Sequence, residues 1–280
     1  MRYRSNIDGT AHQEPSLSWR SLDSICPYAI SAIIHSEDPL FFRHNGFWWA
    51  EIRRQLRKSR RPGLVRGVST ITQQLSRNLF LRPERTWKRK AFEALITAQI
   101  EHALPKTRIL ELYLNIIELG SGVWGIESAS QHHFGHSSES LSIFEAVFLA
   151  SLLPAPRAPL TARNGARAVR AQRRLTSLLY GSGIISRTVE RETFALIDDL
   201  EAWIRTGAQI STFLSQQQFR RDASHLPSPR LSASIVLQNH CGVAQRGHYE
   251  HFLRQEVSCI RGISAWPEWW RPPRNDEVVL

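Results

Sequence analysis

The chain has 280 residues, a formal charge of +11 and a pI near 10.4, so its partner is expected to be anionic: nucleic acid, a membrane surface or a phosphorylated substrate. Three scattered cysteines, Cys26, Cys241 and Cys259, make neither a disulfide framework nor a metal site. The length allows one large domain or two modest ones, and no stretch reaches the ~18 apolar residues of a membrane span.

Residues 1–18 are polar and aperiodic and read as a loose tail. No secretory signal precedes the first apolar run, so either the protein meets membranes peripherally or an anchor lies outside this start. A helix is expected from Pro27, tolerated in a first turn, to the paired carboxylates Glu37 and Asp38, where Pro39 disfavours helical geometry in the residue before it. Phe41, Phe42, His44 and Gly46 follow. A carboxylate between a buried helix and an aromatic turn sits where desolvation raises a pKa, which suits a general base; a solvated helix end is the plainer reading.

From Phe47 to Arg61 aromatic residues (Phe47, Trp48, Trp49) give way to basic ones (Arg53, Arg54, Arg57, Lys58, Arg60, Arg61). Such a segment suits a lipid headgroup layer, or else a helix with tryptophans in the core and a solvated basic face. Next, in Gly67-Val-Ser-Thr-Ile-Thr-Gln-Gln-Leu-Ser-Arg-Asn78, Ser69 or Thr70 can cap a helix. Gln73, Gln74 and Arg77 then put amides and a cation on neighbouring faces, a surface able to grip sugar hydroxyls and phosphate oxygens.

Thr86 to Leu104 reads as an amphipathic helix with Trp87, Ala91, Ala94, Leu95 and Ala98 as its core stripe. Glu93, four residues after Arg89, reads there as half of a surface ion pair. Lys106 to Ile117 forms the next helix, with Ile109, Leu110, Tyr113, Leu114 and Ile117 inward, and Gly120, Gly122 and Gly125 mark the turn after it. Leu141 to Leu153 reads as a buried helix opened by a capping box at Ser142 and Glu145. Helices are also expected over 163–180 and 188–204, and a strand signal appears only at 233–237. Beyond Gly207 the chain reads as polar linker and an aromatic, cationic tail.

Four of these stretches stand together in order: Glu37-Asp38-x-x-Phe41-x-x-His44-x-Gly46, the Gly67–Asn78 run, Arg89-Lys90-x-x-Glu93, and Lys106-x-x-Ile109-Leu110-Glu111-x-Tyr113-Leu114-Asn115. In this the chain resembles the peptidoglycan glycosyltransferases of family 51, particularly the monofunctional biosynthetic transglycosylases. The resemblance implies a mainly α, lysozyme-like helical glycosyltransferase domain over 19–205, between the 1–18 tail and a 206–280 extension of unknown structure. It implies polymerisation of lipid II: a lipid-pyrophosphate-linked strand is transferred with inversion to a sugar 4-hydroxyl, and undecaprenyl pyrophosphate leaves. The setting implied is the periplasmic face of a bacterial inner membrane, with cell-wall synthesis proteins as possible partners and no nucleic acid.

Residue by residue, the resemblance casts Glu37 as the base and Glu93 as a second essential carboxylate that organises the donor site or its cations. Substrate contacts fall on Asp38, His44, Arg54, Ser69, Thr70, Gln73, Gln74, Arg77, Arg85, Arg89 and Lys90, with Arg77 and Arg85 at the pyrophosphate. No cofactor is required; magnesium or manganese could assist the pyrophosphate, though no ligand cluster in the sequence demands one. Three departures stand out: Val68 replaces a small residue, Arg77 replaces the usual lysine, and the fifth motif is degraded around Arg173-Arg174-Leu175, with Leu179 for methionine. A lysozyme-like hydrolase is the nearest rival. A nucleic-acid-binding protein is a second, but no nucleic-acid module is present and Glu37 and Asp38 would repel phosphates; a catalytically silent relative that still binds lipid II is a third, against which the intact first motif argues.

Overall fold

The computed structural model describes residues 18–58, 69–81, 86–159 and 161–221, all within one compact unit. Arg85, Val68, the 1–17 tail, the 233–237 strand signal and the C-terminal aromatic tail lie outside the described residues. Ten helices run through them: α1 (Pro27–Glu37), α2 (Trp49–Lys58), α3 (Ile71–Phe80), α4 (Trp87–Ala103), α5 (Lys106–Ile116), α6 (Ile126–Phe134), α7 (Ile143–Leu152), α8 (Ala162–Gly181), α9 (Arg187–Arg205) and α10 (Ile210–Arg221). The only regular strands among the described residues are β1 (Glu118–Gly120) and β2 (Val123–Trp124), paired antiparallel. The structure is mainly α, as expected.

The core grows from two sequence-driven choices. In α7 every residue is buried, as an apolar helix without a polar face must be. Its one acid, Glu145, completes a capping box with Ser142 and also bonds His136 Nε2 at 3.1 Å, so its carboxylate is hydrogen-bonded where it is buried. Against α7 lies α1, buried from Ala29 to His35, and α8 covers both. Each large side chain sealed there, such as Ile30, Ile33, Ile34, Phe148 or Leu149, contributes about 1.5–3 kcal/mol. α9 packs on α8, and α3 is held between α4 and α5.

Two elements depart from the sequence expectations. In α4 the stripe expected in the core faces outward: Trp87 is 77% exposed and Leu95 56%, Ala91 and Ala98 are exposed with them, and Phe92 beside the stripe is 58% exposed. The buried face instead carries Glu93, Thr97 and Ile100. Hydrogen bonding explains the inversion, because Thr97 Oγ1 donates to the Glu93 carbonyl at 2.6 Å and Ser76 Oγ of α3 donates to the same oxygen at 3.3 Å. Polar groups with partners can be buried without penalty, and the apolar stripe is left for another surface. The second departure is α10, where polar linker was expected. Phe213 packs its ring against Trp203 (5.8 Å) and edge-on to Phe144 (6.3 Å), and with Leu214 it anchors a helix whose other residues give little hydrophobic signal.

Two glycines fix the backbone around the site. Gly46 has φ +81°, and a Cβ there would lie 2.8 Å from Thr97 Cγ2, so the turn after α1 presses directly on α4. Gly125 has φ +82°, and its Cβ would meet the Asn115 carbonyl oxygen at 2.6 Å. That contact brings the end of α5 against the start of α6.

Candidate active site

The site starts where α1 stops. Pro39 forces Asp38 out of helical geometry (ψ 75°), so Glu37 becomes the last helical residue and Asp38 turns back under the helix. Asp38 is 1% exposed; its Oδ2 accepts the backbone N–H of Ile71 at 3.1 Å. His44 Nε2 bonds both Asp38 oxygens, at 2.9 and 3.0 Å. A carboxylate has no proton to give, so this nitrogen is the donor. Asp38 thus ties the end of α1 to the first residue of α3.

The start of α3 is secured from within. Thr70 is the cap: its Oγ1 accepts Gln73 N at 3.2 Å, and the Gln73 amide oxygen accepts Thr70 N at 3.0 Å. Thr70 Oγ1 also donates to the Gly46 carbonyl at 2.7 Å, joining the cap to the turn that contains His44. Gln73 is buried and occupied by the cap, whereas Gln74, one position on, faces the other way. Gln74 Nε2 donates to Glu37 Oε2 at 2.8 Å, and it approaches the Ser69 carbonyl at 3.5 Å. Gln74 Oε1 accepts the hydroxyl of Tyr113 on α5 at 3.0 Å.

Glu37 is half-buried, and desolvation pushes its pKa above the usual carboxylate range. Hydrogen bonds from Gln74 and from Ser36 Oγ (3.2 Å), together with the positive charge of Arg77, pull the other way. Beside this carboxylate a cleft of about 390 Å³ opens between α3, α5 and the loop after α7. Gln74, Arg77, Asn78 and Tyr113 form one wall, and Glu118 and Arg157, paired at 2.7 Å, stand in the other. Arg77 lines this cavity and Glu37 adjoins it through the Gln74 amide, an arrangement suited to deprotonating a hydroxyl while an anionic group departs.

Glu93 is placed differently. It is fully buried, not half of a surface pair, and its carboxylate accepts Arg89 Nη1 at 2.9 Å and also Lys90 Nζ. Lys90 reaches outward from it at 51% exposure, while Arg89 is mostly buried at 18%. Glu93 meets α3 through its backbone carbonyl, which accepts Ser76 Oγ, while its carboxylate is held by Arg89 and Lys90 of its own helix. The structure therefore gathers Glu37, Asp38, His44, Ser69, Thr70, Gln73, Gln74 and Arg77 around the start of α3. Arg89, Lys90 and Glu93 form a separate cluster on α4. Arg54 points to neither, pairing with Glu51 of its own helix at 2.6 Å, and Arg85 lies outside the described residues.

The sequence places Tyr113 in the core, where it lies, but shows neither the reach of its hydroxyl to Gln74 nor the Glu118–Arg157 pair. The phenol was the one legible hint, since a fully buried tyrosine needs a partner for its hydroxyl. Nothing local could join Glu118 to Arg157 across 39 residues. Among the described residues no three His, Cys, Asp or Glu side chains gather as a metal site.

Residues 5–180 match the family model described as Transglycosylase. The chain belongs to the transglycosylase family. Transglycosylase domains are lysozyme-like and helical, in keeping with the helices above. Among relatives, a biosynthetic peptidoglycan transglycosylase of Bdellovibrio bacteriovorus is 43% identical over 157 residues, 56% of this chain and 63% of the relative. Proteins of the same description from Alcanivorax borkumensis (44% over 155 residues) and Stutzerimonas stutzeri (46% over 151 residues) match 55% and 54% of this chain. The chain spans 62% and 60% of those two transglycosylases, so less than two thirds of their length.

Proposed function

We propose that this transglycosylase polymerises lipid II into peptidoglycan strands. The observation that carries the reading is Glu37: a desolvated carboxylate, held by the Gln74 amide, beside Arg77 at the edge of the cleft. A sugar 4-hydroxyl is a poor nucleophile at neutral pH, so its proton must leave as its oxygen attacks the anomeric carbon of the donor strand. Glu37 takes that proton. The anomeric C–O bond breaks on the opposite side, the configuration inverts, and undecaprenyl pyrophosphate departs with the bonding pair.

Negative charge grows on the leaving group, and a cation aimed at it favours the transition state over the ground state. Arg77 supplies that charge from the described residues, with Arg85 assigned the same task from its motif position. The remaining motif residues divide by placement. Asp38, His44, Thr70 and Gln73 hold the α1–α3 junction in register, while Ser69 and Gln74 border the substrate. Glu93 keeps Arg89 and Lys90 extended toward the donor's anionic groups, and Arg54 offers a further cation from α2. Magnesium or manganese, if used, would arrive with the pyrophosphate, since Asp38 and Glu93 are already committed to protein partners. Purified full-length chain supplied with lipid II should yield glycan polymer and free undecaprenyl pyrophosphate, and moenomycin-type inhibitors should stop it. Cleavage of preformed glycan with lipid II left intact would transfer the site to the hydrolase reading.

The membrane surface enters the proposal through α4 and α2. No helix among the described residues is long and apolar enough to cross a bilayer. Trp87, Phe92 and Leu95 nevertheless leave an apolar face in the open, with Lys88 and Lys90 beside it. On α2, Trp49 is 59% exposed next to the exposed Arg53, Arg54 and Arg57, which disfavours the alternative of a tryptophan buried in the core. Aromatic rings with cations around them fit an anionic headgroup layer. In flotation with phosphatidylglycerol vesicles, replacing Trp87, Phe92 and Leu95 together by serine should reduce binding at least ~10-fold. Unchanged flotation of a folded variant would remove α4 from the membrane surface.

A further inference from the structure

The Gln74 amide, on which the ionisation of Glu37 depends, has a weakness: it is two-faced. Rotated by half a turn it would present its oxygen to Glu37, placing lone pairs against an anion and removing the 2.8 Å hydrogen bond. Side-chain amides make that rotation readily, so the useful orientation must be fixed from elsewhere. The far side of the amide meets one phenol. Tyr113 is fully buried on α5, and its hydroxyl points at Gln74 Oε1 from 3.0 Å.

Tyr113 suits this task for two reasons. Its ring is fully buried on α5, as are Ile109, Leu110 and Leu114 of the same helix, so the hydroxyl is fixed in space. Burial and the nearby charge of Glu37 also keep the phenol protonated, so it stays a donor throughout the working pH range. The Glu37 carboxylate can only accept and this hydroxyl donates to Oε1, so with the amide N–H toward Glu37 every donor in the row meets an acceptor, a match that the flipped amide would break at the carboxylate.

We propose that Tyr113 is a positioning residue for the base: its hydroxyl locks the Gln74 amide with the N–H side toward Glu37 and so holds the carboxylate ionised beside the cleft. The inference rests on the reading of Glu37 as the base. Tyr113 touches no reacting atom in this scheme; it acts through Gln74.

A structural role for Tyr113 would lower activity equally at every pH, whereas a positioning role moves the titration of the base. With Tyr113→Phe in the full-length chain, the acid limb of kcat/KM for lipid II polymerisation should move up by about one pH unit, with the rate recovering toward wild type on the alkaline side. The carboxyl ¹³C resonance of Glu37, assigned by difference from Glu37→Gln, should titrate higher by the same amount. 4-Aminophenylalanine at position 113 keeps a donor and should restore both. If Tyr113→Phe does not fold, 4-methylphenylalanine, which refills the hydroxyl's volume without a donor, takes its place with the same expected shift. A folded donor-less variant whose acid limb and Glu37 resonance both stay at wild-type values overturns the proposal. Polymerisation surviving in Glu37→Gln would instead overturn the assignment of the base, and the ¹³C titration would still report whether Tyr113 acts on Glu37.

Discussion

Glu37→Gln is expected to slow lipid II polymerisation by about 10²–10⁴-fold, the range that general-base catalysis supplies. The substitution is close to isosteric, and a glutamine oxygen at position 37 can still accept the Gln74 amide now 2.8 Å away, so thermal stability should change little. What is lost is the capacity to receive a proton from the attacking hydroxyl. Wild-type activity should also fall on the acid side earlier than an ordinary glutamate would dictate, because desolvation raises the pKa of Glu37 and protonation removes the base. Steady-state rates across pH, beside a melting curve for each protein, separate chemistry from folding. Polymerisation within about fivefold of wild type in a folded Glu37→Gln chain would take the base role away from this residue.

The second large effect belongs to stability. Asp38→Ala should lower folding free energy by about 3 kcal/mol, because it strips a buried carboxylate from two donors and leaves both without a partner. Those donors are the Ile71 backbone N–H at 3.1 Å and His44 Nε2 at 2.9 Å, which join the end of α1 to the start of α3. For a domain of this size the melting temperature should fall by about 6–12 °C. Activity should fall as well, since Glu37 and Gln74 sit on the two elements that Asp38 connects. A melting temperature within a degree of wild type would show that the junction does not depend on Asp38.

Much of this was legible in the sequence where local rules act alone. Pro27 and Pro39 bracket α1, the Ser142–Glu145 box opens α7, and an apolar run without a polar face announced a buried helix. The cap on α3 narrowed to Ser69 or Thr70, and Thr70 holds it. What stayed hidden depends on what lies across the interior. The side of α4 that turns inward is set by hydrogen bonds with Ser76 and by the close approach of Gly46, neither of which leaves a trace in the periodicity of α4 itself. For the same reason the spacing of Arg89, Lys90 and Glu93 showed an ion cluster but not its depth. Gln73 and Gln74 look equivalent as neighbours, yet one is absorbed by a cap and the other reaches the carboxylate, a division settled by Tyr113 and Thr70 together. α10 escaped notice because two side chains, Phe213 and Leu214, provide most of its anchorage.

The outward-facing stripe of α4 also governs how the molecule behaves in a test tube. A helix that hides its hydrogen-bonding side and shows hydrocarbon gives two copies in plain buffer a reason to stick at that face. Turbidity or apparent multimers that vanish on adding a mild detergent would then be a solvent artefact of Trp87, Phe92 and Leu95 and not a statement about quaternary structure.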